Sequence, residues 1–183
     1  MIAIENVLLI FMVISAVSGT MRRASKEILV SFAVVFGMFV ITLIETYLPP
    51  VQDMIKVSAT DQAAANTVLS IRMVIFTLAV FFGYQTPQLP LILQRGAGRL
   101  ASNRMQNILL GFFLGFINGF LIVGSIWWFI DQARYPFPQF ISPALSETAR
   151  TALVFLPPVW LMTVPLIFIA VAVALGIVLI VFL

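Results

Sequence analysis

Residues 106–130 read QNILLGFFLGFINGFLIVGSIWWFI, a run without a single charged side chain. About 20 mostly apolar residues are enough to cross the hydrocarbon of a bilayer as a helix, and within hydrocarbon the backbone N–H and C=O groups must find their partners inside the segment. The run also sets Gly111, Gly115 and Gly119 four apart. Each glycine costs about 1 kcal/mol relative to alanine inside a helix, so three on one stripe call for a compensating contact. The rest of the chain fits the same solvent. It is 62% hydrophobic and 9% charged, with a mean hydropathy of +1.12, against roughly 25% charged residues in a soluble domain. One small core has no room for so much apolar surface. The expected fold is therefore an all-α integral membrane protein, with residues 1–183 forming a single membrane domain.

Five segments reach spanning length: about 2–20, 28–48, 64–84, 106–130 and 159–183. Glu5 falls in the first turn of the first, where a carboxylate suits the positive helix end, and where a secretory leader would carry basic residues; the segment is expected to be a retained helix. Pro49-Pro50 stop the second. Ser58 and Thr60 are candidate caps of the third, with Asp61 suited to its opening turn, and Arg72 interrupts its apolar run. Arg104 and Asp131 bound the fourth. Pro157-Pro158 lead into the last, which Pro165 is placed to kink.

Basic residues set orientation. Arg22, Arg23 and Lys26 follow the first span, and Arg95, Arg99 and Arg104 lie in the third connection. Lys56 in the second connection and Arg134 and Arg150 in the fourth fall on the other face. This predicts the N-terminus outside and, with five spans, the C-terminus in the cytoplasm. The third connection reads as a short basic segment lying in the membrane interface. The fourth, with Trp127, Trp128, Tyr135, Phe137 and Phe140 near its start, is expected to skim the outer surface in the headgroup zone, with a short helix around 144–154.

At 100° per residue Gly111, Gly115 and Gly119 form one ridge, and Asn118 falls on the same side. Helices in lipid associate through close backbone approach and polar contacts, so the ridge and Asn118 predict a tight helix–helix contact, either within the chain or against another subunit. Two ionisable residues stand at membrane depth, Glu45 near the end of the second span and Arg72 in the third; antiparallel packing would bring them together on the outer side. Charges at depth are often functional, which gives a gate or ion path as one reading and a structural pair or a snorkelling arginine as the other. The 17 phenylalanines read either as lipid-facing and packing residues or as the lining of a carotenoid or quinone groove.

The chain has no cysteine and no histidine, which removes disulfides, thiol chemistry and the commonest proton shuttle and metal ligand. No nucleophile–base pairing, phosphate-binding loop or metal-ligand spacing is present, so no catalytic residue, cofactor or metal is expected. A net charge of +3, carried near helix ends, fits lipid headgroups rather than nucleic acid. The expected partners are membrane lipids and other membrane subunits or further copies of the chain.

The turn after the first span carries Gly19, Arg22 and Glu27, and the fourth span opens with Gly111 and Gly115. In this the sequence resembles the colicin V production protein (CvpA) family of bacterial inner-membrane proteins over about residues 1–131. That family has a Gly-x-x-Arg-Gly-x-x-x-Glu turn, where Arg23 here replaces the second glycine. It also has an Asp-x-x-x-Gly-x-x-x-Gly helix start, where Asn107 replaces the aspartate. The fifth apolar segment is not part of the usual pattern. The resemblance implies a bacterial inner-membrane location and a non-enzymatic role in envelope homeostasis or toxin production. Two other classes fit the composition: an accessory subunit of a photosynthetic or respiratory complex, and a small channel or transporter.

Overall fold

A computed structural model of the protein describes residues 4–22, 24–85, 104–137 and 146–182. The basic third connection at 86–103, Arg23 and Phe140 lie outside the described residues. Every regular element among those described is helical: α1 (Ile4–Met21), α2 (Ala24–Tyr47), α3 (Pro49–Ser58), α4 (Gln62–Gln85), α5 (Arg104–Gln132), α6 (Glu147–Phe155), α7 (Pro157–Leu161) and α8 (Leu166–Phe182).

Local chemistry explains most of the boundaries. Asn107 of α5 reaches across to accept the backbone N–H of Ala24 at 2.9 Å, capping α2 in place of a residue of its own strand of sequence. At the far end Leu48 is extended, as a residue before proline is driven to be. Pro49 and Pro50 then open α3, where their missing N–H groups cost nothing. The cap of α4 is Asp61, whose carboxylate accepts from Ala63 and Ala64 N–H at 3.1 and 3.2 Å. Ser58 and Thr60, the candidate caps, instead donate back to the carbonyls of Ile55 and Val57. At the end of α5 the Arg134 and Tyr135 N–H groups return to the carbonyls of Asp131 and Ile130, with Arg134 and Tyr135 at φ 58° and 53°. This is a Schellman closure made without the usual glycine.

Three helices, α2, α4 and α5, are long and apolar enough to cross a membrane. α1, at 18 residues, rises about 27 Å and is the shorter apolar helix beside them. The C-terminal segment, expected as a fifth span over 159–183 with a kink at Pro165, is broken more sharply and starts earlier. The chain is extended at Leu156, helical for one turn at α7, and broken again before α8, so that α6–α7 and α8 meet at a 73° bend. Pro157, Pro158 and Pro165 each lack the N–H that would carry a helix through those points. Counted as one broken span, this segment makes a fourth crossing at most. The second connection also differs from a plain loop, because α3 folds back beside α4 as a helical hairpin.

The interior forms around α2. Val30, Val34, Met38 and Ile41 pack with Leu69 and Phe76 of α4, Leu121 and Phe129 of α5, and Ile167 of α8. A smaller cluster, Leu8 and Met12 of α1 with Trp127, Ala149 and Leu156, seals the other side of α5. Trp127 and Tyr135 are thereby buried, the indole N–H donating to the Tyr135 hydroxyl at 3.1 Å. Trp128 likewise turns inward, toward Arg72.

Candidate functional site

The glycine ridge of α5 lies against α1 of the same chain. A methyl group on Gly111 would strike the Gly19 carbonyl, one on Gly19 the Gly111 carbonyl, and one on Gly115 the Ser15 carbonyl. At Gly119 it would sit 2.9 Å from Met12 Cα and from Ser15 Cβ. The two backbones thus touch over three turns, Ser15 and Gly19 supplying the small residues of α1. Ala16 is fully buried beside them. Between helices in lipid this closeness is itself the attraction, through dispersion and backbone dipoles. Residues 15 and 19 follow a Ser-x-x-x-Gly spacing, a small-residue signal that α1 shares with Ala33/Gly37 of α2 and Ala79/Gly83 of α4 and that therefore does not single it out.

Where this seam meets α2, the polar residues form a closed set. Asn118 donates one amide proton to the Glu27 carboxylate and the other to the Glu27 carbonyl, both at 2.9 Å. Its oxygen accepts from the Ser31 hydroxyl at 2.7 Å. Asn118 is fully buried and Glu27 is 2% exposed. The other carboxylate oxygen of Glu27 stands 4.0 Å from the Arg22 guanidinium, which lies over the Tyr84 ring of α4, 4.5 Å from its centre. Gly19, Arg22 and Glu27 of the first turn therefore share one contact region with Gly111, Gly115 and Asn118 of α5, and Asn107 joins it through the α2 cap. Neither Asn107 nor Ser31 stands out in the sequence as a partner, since their bonds span 83 and 87 residues.

The second charged pair is at the other end of α2, about 27 Å along the helix from Glu27. Arg72 Nε donates to Glu45 Oε1 at 2.6 Å. The Arg72 side chain is 9% exposed and that of Glu45 19%. The guanidinium also faces the rings of Trp128 and Phe129, at 5.1 and 5.8 Å from their centres, so its charge is balanced on one side and screened by aromatic faces on the other. A cavity of about 50 Å³ adjoins it, lined by Ser58, Ala65, Gln132 and Ala133 among others. Gln62 and Arg134 close that end, donating to the carbonyls of Ala133 and of Ser58 and Ala59.

Both groups bridge helices. Glu45 joins α2 to α4 through Arg72 and Glu27 joins α2 to α5 through Asn118, and among the described residues no buried polar side-chain atom lacks a hydrogen-bond partner. The geometry brings Glu45 to Arg72 and Glu27 to Arg22 and Asn118, but keeps the two groups apart at opposite ends of the core. No family model, curated protein or solved structure matches the chain.

Proposed function

We propose that the protein is a non-enzymatic, multi-pass inner-membrane protein of the colicin V production type, serving envelope homeostasis or toxin production. One observation carries this reading. Two short motifs about ninety residues apart, Gly19, Arg22 and Glu27 on one side and Asn107, Gly111 and Gly115 on the other, meet in a single contact region. Motifs that meet in space constrain one another, and here the constraint is a helix seam with a buried carboxylate rather than a reaction centre. In this reading the basic ends of α1 and α5 face the cytoplasm, the N-terminus lies outside, and the apolar outer faces of α1, α4 and α8 meet lipid or partner chains.

The test is a bacterial strain lacking the chain, assayed for uptake of a membrane-impermeant dye and for toxin export. Loss of the protein raises dye uptake or lowers export. The wild-type chain restores the wild-type level, and Asn118→Leu, which strips Glu27 of its amide donor, does not. A deletion strain indistinguishable from its parent in both assays rules the reading out.

A second reading, accessory subunit of a larger membrane complex, draws on α8. That helix buries only Ile167, Val181 and Phe182 of its 17 residues, leaving an apolar flank for a neighbour. Mass spectrometry of chains that co-purify in mild detergent separates the two. A fixed-stoichiometry assembly favours the subunit, and a monomer or homo-oligomer favours the envelope protein.

A further inference from the structure

A groove of about 500 Å³ runs between α2 and α4, walled by Leu29, Phe32, Phe36 and Val40 on one side and Ile75 and Leu78 on the other. Its origin is in the crossing. The two helices meet through small residues, so close that a methyl group on Gly37 would sit 2.8 Å from Ala79 Cβ, and one on Gly83 2.6 Å from Ala33 Cβ. Bulky side chains flank these contacts and leave a trough above them. Both walls belong to helices of spanning length, so the trough is open to hydrocarbon rather than to water.

Length and charge identify the occupant. From Leu29 to Val40 the groove rises about 16 Å, close to the roughly 15 Å depth of one leaflet's hydrocarbon. A partner helix would continue through both leaflets; an acyl chain ends where this groove ends. At one mouth the walls run into exposed cations, whereas at the other the nearest cation, Arg72, is buried and paired with Glu45. Lys26 is exposed and precedes Leu29 by one turn on the stripe that continues through Ala33, Phe36 and Val40. Arg22, with its side chain 44% exposed, is held above Tyr84, the residue next to Gly83 at the same end of α4. Beyond Val40 the stripe continues through Leu43 and Tyr47 with no charge. A basic mouth on an apolar trough of one-leaflet length matches a molecule with a phosphate at one end and a hydrocarbon chain below it.

We propose that the α2–α4 groove seats one acyl chain of an anionic phospholipid, with the lipid phosphate bound by Lys26 and Arg22. The proposal rests on the groove and its mouth, and is independent of the envelope role.

The experiment uses the full chain in mild detergent, supplied with dioleoyl phosphatidylglycerol or dioleoyl phosphatidylcholine, and reads retained lipid per chain by native mass spectrometry. The anionic lipid is held at least about fivefold more tightly, the effect of one cation near a headgroup. Lys26→Gln, at an exposed position, removes most of that preference without lowering the melting temperature. Leu78→Trp, which fills the groove from an exposed wall residue, reduces retention of both lipids. Equal retention of the two lipids by the wild-type chain overturns the proposal, as does anionic-lipid retention that ignores either substitution. So does a dimer that Leu78→Trp dissociates while lipid retention stays constant, since the groove would then hold a second copy.

Discussion

At Gly115 the obstacle to a side chain is a carbonyl oxygen of the facing helix, which has nowhere to retreat. Overpacking of this kind costs about 1–3 kcal/mol, more than the 1 kcal/mol that a better helix former returns. Gly115→Leu is therefore expected to lower the melting temperature in detergent. Gly176 of α8 has nothing within 4 Å of an added methyl group, so Gly176→Ala should leave stability unchanged or raise it by up to about 1 kcal/mol. Equal effects at the two sites would remove the packing account of the ridge. The Glu45–Arg72 pair allows a similar comparison. Breaking a shielded pair leaves the survivor uncompensated. Glu45→Gln and Arg72→Gln are each expected to destabilise, with a coupling of about 0.5–3 kcal/mol in the double-mutant cycle. Additive losses would mean that the two side chains act separately.

On the scale of elements, the α1–α5 seam is the contact on which the most backbone depends, and it is made within one chain. The native sequence holds no cysteine, so an engineered pair reports cleanly. Ser15→Cys with Gly119→Cys places two Cβ atoms 2.9 Å apart, within about 1 Å of the usual disulfide separation of roughly 3.8 Å. Oxidation should produce an internal cross-link that leaves the chain at monomer size on a non-reducing gel. A cross-linked dimer would instead place the ridge between subunits. The hairpin of α3 on α4 and the broken α6–α8 segment show the complementary case, where prolines rather than packing decide how an element ends.

For the molecule as a whole, the proposed orientation rests on charge. Arg22, Lys26 and Arg104, at the adjoining ends of α1, α2 and α5, lie at the end of the helices opposite the α3–α4 turn, and the positive-inside rule predicts that this end faces the cytoplasm. Single cysteines at Thr60 and at Lys26, both exposed positions, test this in intact cells with a membrane-impermeant maleimide. Thr60→Cys should label and Lys26→Cys should label only after lysis. The opposite pattern would invert the topology and move the groove mouth to the outer leaflet.

Much of this arrangement was legible in the residue order because lipid imposes strong local rules. Charge-free runs of spanning length must be helices, proline pairs must end them, and glycines at a spacing of four must lie on one side. Those rules located α2, α4 and α5, the ridge on α5 and the pairing of Glu45 with Arg72. They did not reveal which helix covers the ridge, that Asn107 caps α2 from 83 residues away, or that Trp127 and Trp128 turn inward. They placed a kink at Pro165 in the last apolar stretch but not the sharpness of its break. Hydropathy measures how well a segment tolerates hydrocarbon; it carries no information about direction or about which surfaces touch. Those choices belong to the tertiary structure, because close backbone approach and a shared carboxylate are properties of pairs of helices and exist only once the helices have met.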